Sequence, residues 1–286
     1  MAGILLSFGH GYSARALTAR LLPQGWHITG TTRSADKAEV LHDTGVSPLI
    51  WPGSDVRPAL EQASHLLVSA GPGKEGDPVL SHLQKEITVA APNLTWVGYL
   101  STTGVYGDHQ GGWVDEETAL APSTKRGQAR VAAEAAWQAI PDLPLHIFRL
   151  AGIYGPERGP FAKVRNGTAR RIIKDGQVFS RIHVDDIAQV LEASIAQPNP
   201  GAIYNLCDDD PAPPQDVIGY AAELLGLPVP PAVAFEDAEM TAMARSFYAE
   251  SKRVRNDRIK SELGVSLLYP TYQDGLLAII KGDASG

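Results

Sequence analysis

"LLSFGHGYSARAL", Leu5 to Leu17, runs from a short apolar segment into two closely spaced glycines and then into a helical pattern. Gly9, Gly11 and Ala14 occupy the G-x-G-x-x-G/A positions of a strand-to-helix turn. Each position has a physical task. Gly9 lets the chain turn tightly, Gly11 lets a pyrophosphate approach the backbone, and Ala14 lets the helix pack closely on the strand with its N-terminus facing the phosphates. Gly9, His10, Gly11, Tyr12 and Ser13 are therefore the expected cofactor-binding turn. The plain alternative is a turn that binds nothing; the strand before it and the helix after it favour a dinucleotide.

Working outward, "HITGTTRSADK" follows the second apolar run and places Thr32, Arg33 and Ser34 where an NAD-selective protein carries an acid for the ribose 2'-hydroxyl. A guanidinium flanked by hydroxyls suits a 2'-phosphate instead, because it binds that group bidentately where an acid would repel it. NADP(H) is the expected cofactor, with NAD(H) as the alternative if Arg33 is only a solvated loop residue.

The rest of the chain keeps the same rhythm. "ILLSF", "WHITG", "SPLIW", "HLLVS", "LTWVGYL", "LPLHIFRL" and "AIYNL" read as strands buried on both faces, and amphipathic segments such as "SARALTARLL" and "RVAAEAAWQAI" lie between them. This predicts an α/β fold, a doubly wound parallel Rossmann sheet with a smaller interleaved C-terminal substrate lobe. The nucleotide-binding domain is expected over 1–154 and the lobe over 155–286, with strands near 179–184 and 202–207 returning to the first domain. Ala70 and Gly71, just past the fourth run, join the expected cofactor set.

Composition narrows the classes. The 286 residues are 44% hydrophobic and 20% charged, ordinary for a globular protein, and no apolar run approaches the length of a membrane helix. Neither a basic n-region nor an apolar h-region opens the chain, and Cys207 is the single cysteine, so a reducing, cytoplasmic setting is expected. A net charge of -7 argues against nucleic acid as the main partner. No H-x-E, HExxH or C-x-x-C spacing occurs, so no metal is expected.

"VGYLSTTGVYGDHQGGWVDEET", "RLAGIYGPERG", "FSRIHVDDIAQVL" and "AIYNLCDDDPAPPQDV" follow one another along the chain. In order and spacing they resemble the motifs of the extended short-chain dehydrogenase/reductases, the sugar-nucleotide epimerases and dehydratases. The resemblance implies a nicotinamide cofactor and a nucleotide-sugar substrate, and it puts Thr102 in the place of the catalytic hydroxyl. It also implies substrate contacts from Tyr106, Tyr154, Arg158 and Arg181, with His183 bridging strand and helix. Members often form homodimers through the helix that follows the "VYG" loop.

That helix carries the departure. The family's Y-x-x-x-K pair, counted back from Glu134 in "RGQARVAAEAAW", falls on Arg126 and Arg130. Arginine does not transfer protons near neutral pH, although Arg130 can still hydrogen-bond a ribose or phosphate. The chain thus resembles atypical members that keep the nucleotide fold without the tyrosine. Arg126 and Arg130, one turn apart, are expected to recognise an anion, with proton transfer left to Thr102 or to a water held by the arginines. Seven basic residues between Arg158 and Arg181, against the one acid Asp175, suggest a lobe that attracts an anionic small molecule. Two functions stay open: an NADP(H)-dependent oxidoreductase or epimerase with a non-standard active site, and a dinucleotide-binding sensor or scaffold without turnover.

Overall fold

The computed structural model describes residues 2–283. Its centre is a seven-stranded parallel sheet of β1 (Ile4–Phe8), β2 (His27–Thr32), β3 (Ser47–Ile50), β4 (His65–Val68), β5 (Trp96–Thr102), β7 (Leu145–Leu150) and β11 (Ile203–Leu206). The strand order is β11-β7-β5-β4-β1-β2-β3, so the winding reverses between β1 and β4. Ligands of open parallel sheets sit outside the carboxyl ends of the strands at such a reversal. The short strands β6 (Trp113–Val114), β8 (Gly152–Tyr154), β9 (Arg171–Ile173), β10 (Arg181–His183), β12 (Ala232–Ala234) and β13 (Arg253–Val254) form three two-stranded ladders apart from it.

The central strands read as unbroken apolar runs because both faces are covered. On β5, Trp96 and Leu100 pack to one side with Phe148 and Tyr204, while Val97 and Tyr99 pack to the other with Ile147 and Trp137. The first side is closed by α1 (Tyr12–Leu21) and the second by α4 (Leu80–Ala90) and α5 (Lys125–Gln138). Between them in the chain lie α2 (Ala35–Asp43) and α3 (Arg57–Gln62). Beyond α5 come α6 (Phe161–Arg165), α7 (Val184–Ala196), α8 (Pro214–Leu224) and α9 (Ala242–Phe247). A separate core of Tyr154, Phe161, Val164, Ala221, Tyr272 and Leu276 belongs to the C-terminal half.

Arg181–His183 does not enter the central sheet; β10 pairs in parallel with β8, Ile182 opposite Ile153. A three-residue strand at that point leads directly into α7, whose Ile187, Val190 and Leu191 bury against the α1 side of the sheet. β11 does lie in the central sheet, as its edge beside β7.

Candidate functional site

The turn after β1 is shaped by its backbone. Gly9 has φ +71°, and a Cβ there would stand 2.8 Å from the Ala70 nitrogen, so the turn is pressed against the end of β4. Gly9 N donates to Thr31 Oγ1 at 2.9 Å and His10 N to Thr31 O at 2.9 Å, which ties the turn to β2. Gly11 is the N-cap of α1, and no side chain caps the helix. A Cβ on Gly11 would meet only Gly9 O, at 3.6 Å, so the approach to the helix N-terminus is open. An uncapped N-terminus presents N–H groups and the positive end of the helix dipole, which fits a diphosphate.

His10 keeps its side chain out of the turn. Its ring turns inward beneath Gly30 and lies 3.3 Å from Thr18 Oγ1 through Nε2, so only its backbone belongs to the turn. Burial, helped by the charge of Arg15, pulls its pKa down to about 4. Ser13 is buried beside Ala14 on the inner face of α1. Tyr12 leans out to the loop after β8, where its hydroxyl donates to Pro156 O at 2.7 Å. Burial raises that hydroxyl to about 12.

At the other end of the expected cofactor track, Thr32 closes β2 and its carbonyl accepts from Trp51 N at 2.8 Å. Arg33 is exposed, and Ser34 is the N-cap of α2 without a hydrogen bond from its own side chain to that helix. Ser34 is half-buried.

Helix α5 begins at Thr124, whose Oγ1 accepts from Gly127 N at 3.1 Å. Its depth is fixed by Glu134, a buried carboxylate that accepts from Arg149 at 2.8 Å and from the Ser101 hydroxyl. Arg149 Nη1 donates to the Tyr106 hydroxyl at 3.0 Å, and that hydroxyl donates to Asn205 Oδ1 at 2.7 Å. This chain of bonds locks α5 to β5, β7 and β11. It also corrects Tyr106, which is sealed in the interior with a hydroxyl that burial raises to about 12, and so does not line a substrate cleft.

Held at that depth, α5 sends its two arginines different ways. Arg130 Nη1 donates to Leu100 O at 2.7 Å and to the Tyr99 hydroxyl at 3.2 Å, and its Nη2 lies 3.2 Å from where a Cβ on Gly71 would stand. Arg126 is exposed, and its guanidinium sits 5.5 Å from the centre of the Phe247 ring on α9. Distinct partners thus separate the two like charges on α5. Thr102 ends β5, and its Oγ1 accepts from Gly104 N at 3.2 Å, leaving the hydroxyl proton free to be donated.

The remaining expected substrate residues are placed unevenly. Tyr154 is buried, with its ring edge-on to His183 at 5.2 Å and its hydroxyl 3.4 Å from Thr271 O; burial pushes that hydroxyl far above the usual tyrosine range. Arg181 donates through Nη1 to Phe179 O at 2.8 Å and Ala212 O at 3.0 Å. Arg170 likewise donates to Gly167 O and Ala169 O, and Lys174 to Tyr248 O. Much of the basic segment is therefore spent on backbone carbonyls. Arg158 is exposed, its guanidinium 5.6 Å from the centre of the Tyr12 ring. His183 caps α7 by accepting from Asp185 N at 3.2 Å.

Tyr99 and Phe247, which hold the arginine pair, were missed from the sequence. Tyr99 lies within a quoted strand and reads only as core, while Phe247 belongs to no motif. Among the described residues no group of three or more His, Cys, Asp or Glu is placed to hold a metal, and no helix is long and apolar enough to cross a membrane.

The chain is similar to "Protein YeeZ" of Escherichia coli strain K12, at 30% identity over 278 residues, covering 92% of this chain and 94% of that protein. A conserved protein of unknown function from Silicibacter pomeroyi has a solved structure that superposes with a TM-score of 0.95, at 61% identity over the whole of both chains. The UDP-glucuronic acid 4-epimerase of Bacillus cereus, solved in complex with NAD, superposes with a TM-score of 0.77 at 16% identity, covering 98% of this chain and 99% of that one, a likeness of fold. No family model matches the chain.

Proposed function

The chain belongs to the family of the Escherichia coli protein YeeZ, on the fold of the NAD-dependent epimerases and dehydratases, and on that premise we propose that it is an NADP(H)-dependent oxidoreductase or epimerase with a non-standard active site. The observation that carries this reading is the reach of Arg130 from α5 to Leu100 O beside Gly71, at the strand end against which the glycine turn is pressed.

In this reading the N–H groups around Gly11 hold the diphosphate, Thr32, Arg33 and Ser34 hold the 2'-phosphate, and Arg130 holds a ribose hydroxyl in place of the family's lysine. A bound nicotinamide ring supplies hydride transfer. The chain's part is to orient and to hold protons: the free Thr102 hydroxyl proton is donated to a substrate oxygen, and Arg126 steers an anionic small molecule such as a nucleotide sugar. The alternative, a dinucleotide-binding sensor without turnover, is favoured by Arg126 standing exposed on Phe247 where the family keeps an acid/base hydroxyl.

Calorimetry with NADPH and NADH tests the binding step on wild type and Gly11→Val, which should stay folded and lose nucleotide affinity. Unchanged affinity in that variant overturns the turn's assignment. Turnover of NADPH with nucleotide sugars separates the two readings: an activity that Thr102→Val removes supports the enzyme, whereas cofactor binding without turnover supports the sensor.

A further inference from the structure

Resting on the dinucleotide reading of the first turn, we infer that Arg158 serves the diphosphate of the dinucleotide rather than a substrate, and that Tyr12 is the positioning residue that brings it there. The loop after β8 is moulded on Tyr12. A Cβ on Gly155 would stand 2.5 Å from the Tyr12 hydroxyl and 2.8 Å from Val184 Cγ1, so only glycine lets the loop come this close. The Tyr12 hydroxyl then holds Pro156 O at 2.7 Å. Reciprocal backbone bonds, Gly155 N to Arg158 O at 3.1 Å and Arg158 N to Gly155 O at 3.0 Å, fix Arg158 relative to that contact.

The arginine so placed lies with its guanidinium on the Tyr12 ring, and Tyr12 is the first residue of α1. Among the described residues no carboxylate lies within ion-pair distance of it, and its side chain is exposed, so its forked N–H donors are free for a ligand. Arg170, Lys174 and Arg181 have instead committed donors to carbonyls. A free guanidinium carried on the ring of the first residue of a helix adds to the positive potential of that helix end, which an anion bound there would relieve. The anion of this turn is the diphosphate. The loop that carries a substrate contact in the resemblance is thereby tied to cofactor occupancy.

The test is calorimetry of wild type, Arg158→Ala, Arg158→Lys and Tyr12→Phe with NADPH, NADH and ADP-ribose, at low and high salt. ADP-ribose has the diphosphate but neither the nicotinamide nor the 2'-phosphate. Arg158→Ala should weaken all three by a similar factor, about tenfold at low salt and less at high salt, as expected for one charge-assisted contact. Arg158→Lys should recover part of the loss, and Tyr12→Phe should cost about threefold by freeing the loop while keeping the ring. Wild-type melting temperature in Arg158→Ala keeps the comparison free of unfolding. If wild type binds ADP-ribose and Arg158→Ala binds it equally well, the inference is overturned while the dinucleotide reading stands. If wild type binds none of the three ligands, both readings fall.

Discussion

The turn after β1 and the first turns of α5 converge on the end of β4, yet they are built in opposite ways. At the turn, the geometry rests on backbone: Gly9 at φ +71°, a glycine N-cap and hydrogen bonds from consecutive N–H groups to Thr31. On α5 it rests on side chains whose partners lie far away, Tyr99 and Leu100 O for Arg130, Phe247 for Arg126, and Arg149 for Glu134. A backbone device is written where it acts, whereas a side-chain device needs the whole fold before it points anywhere.

The largest effect should come from breaking the α5 side. Glu134→Ala leaves Arg149, whose side chain is 3% exposed, without its carboxylate. Removing one partner of a buried pair costs about 3 to 5 kcal/mol. Urea unfolding of this variant should show that loss, while Gly11→Ala, whose added methyl meets only ordinary contact, should unfold like wild type. Equal destabilisation of the two variants would erase the contrast.

The turn has its own, smaller signature in pH. His10 is pulled to about 4 by burial, so the native ring stays neutral while the unfolded chain takes up a proton near its ordinary value of 6.5. Its contribution to stability is complete above pH 6.5 and is lost as pH falls toward 4, on the order of 3 kcal/mol in all. Burial pulls His65 to about 4 as well, so it adds a loss of the same sign. Burial lowers His146 and His183 in the same direction, so His10→Leu should flatten one share of this histidine-linked slope in unfolding measured at pH 7.5, 5.5 and 4. An unaltered slope would mean that the ring is not sealed beneath Gly30.

Smaller again is the cofactor preference. Arg33→Ala should weaken NADPH by about tenfold, close to 1.4 kcal/mol, and leave NADH unchanged. Equal losses for both cofactors would move Arg33 away from the 2'-phosphate. Phe247→Ala comes last: the exposed stack under Arg126 is worth about 0.5 to 1 kcal/mol, read in a double-mutant cycle with Arg126→Ala. A coupling near zero would leave Arg126 a solvated residue.

The sheet was legible before any coordinates. All seven runs from "ILLSF" to "AIYNL" contain or overlap its strands, because strands covered on both faces must be apolar throughout. "RIH" was less specific: three residues between a loop and a helix N-cap carry no sign of which ladder they join, and β10 pairs with β8. The site was legible by position more than by direction. His10 and Tyr106 sit at motif positions, but their side chains turn to Thr18 and to Arg149.

By itself the sequence determined the elements, their parallel rhythm and the glycine turn, since burial on both faces and positive φ are local demands that restrict residue type at each position. Only the tertiary structure decided that Glu134 anchors α5, that Arg130 reaches β5 while Arg126 reaches α9, and that Tyr12 meets Pro156. A long polar side chain satisfies its donors at whichever partner the fold brings within hydrogen-bond distance, and here those partners lie 15 to 144 residues away along the chain.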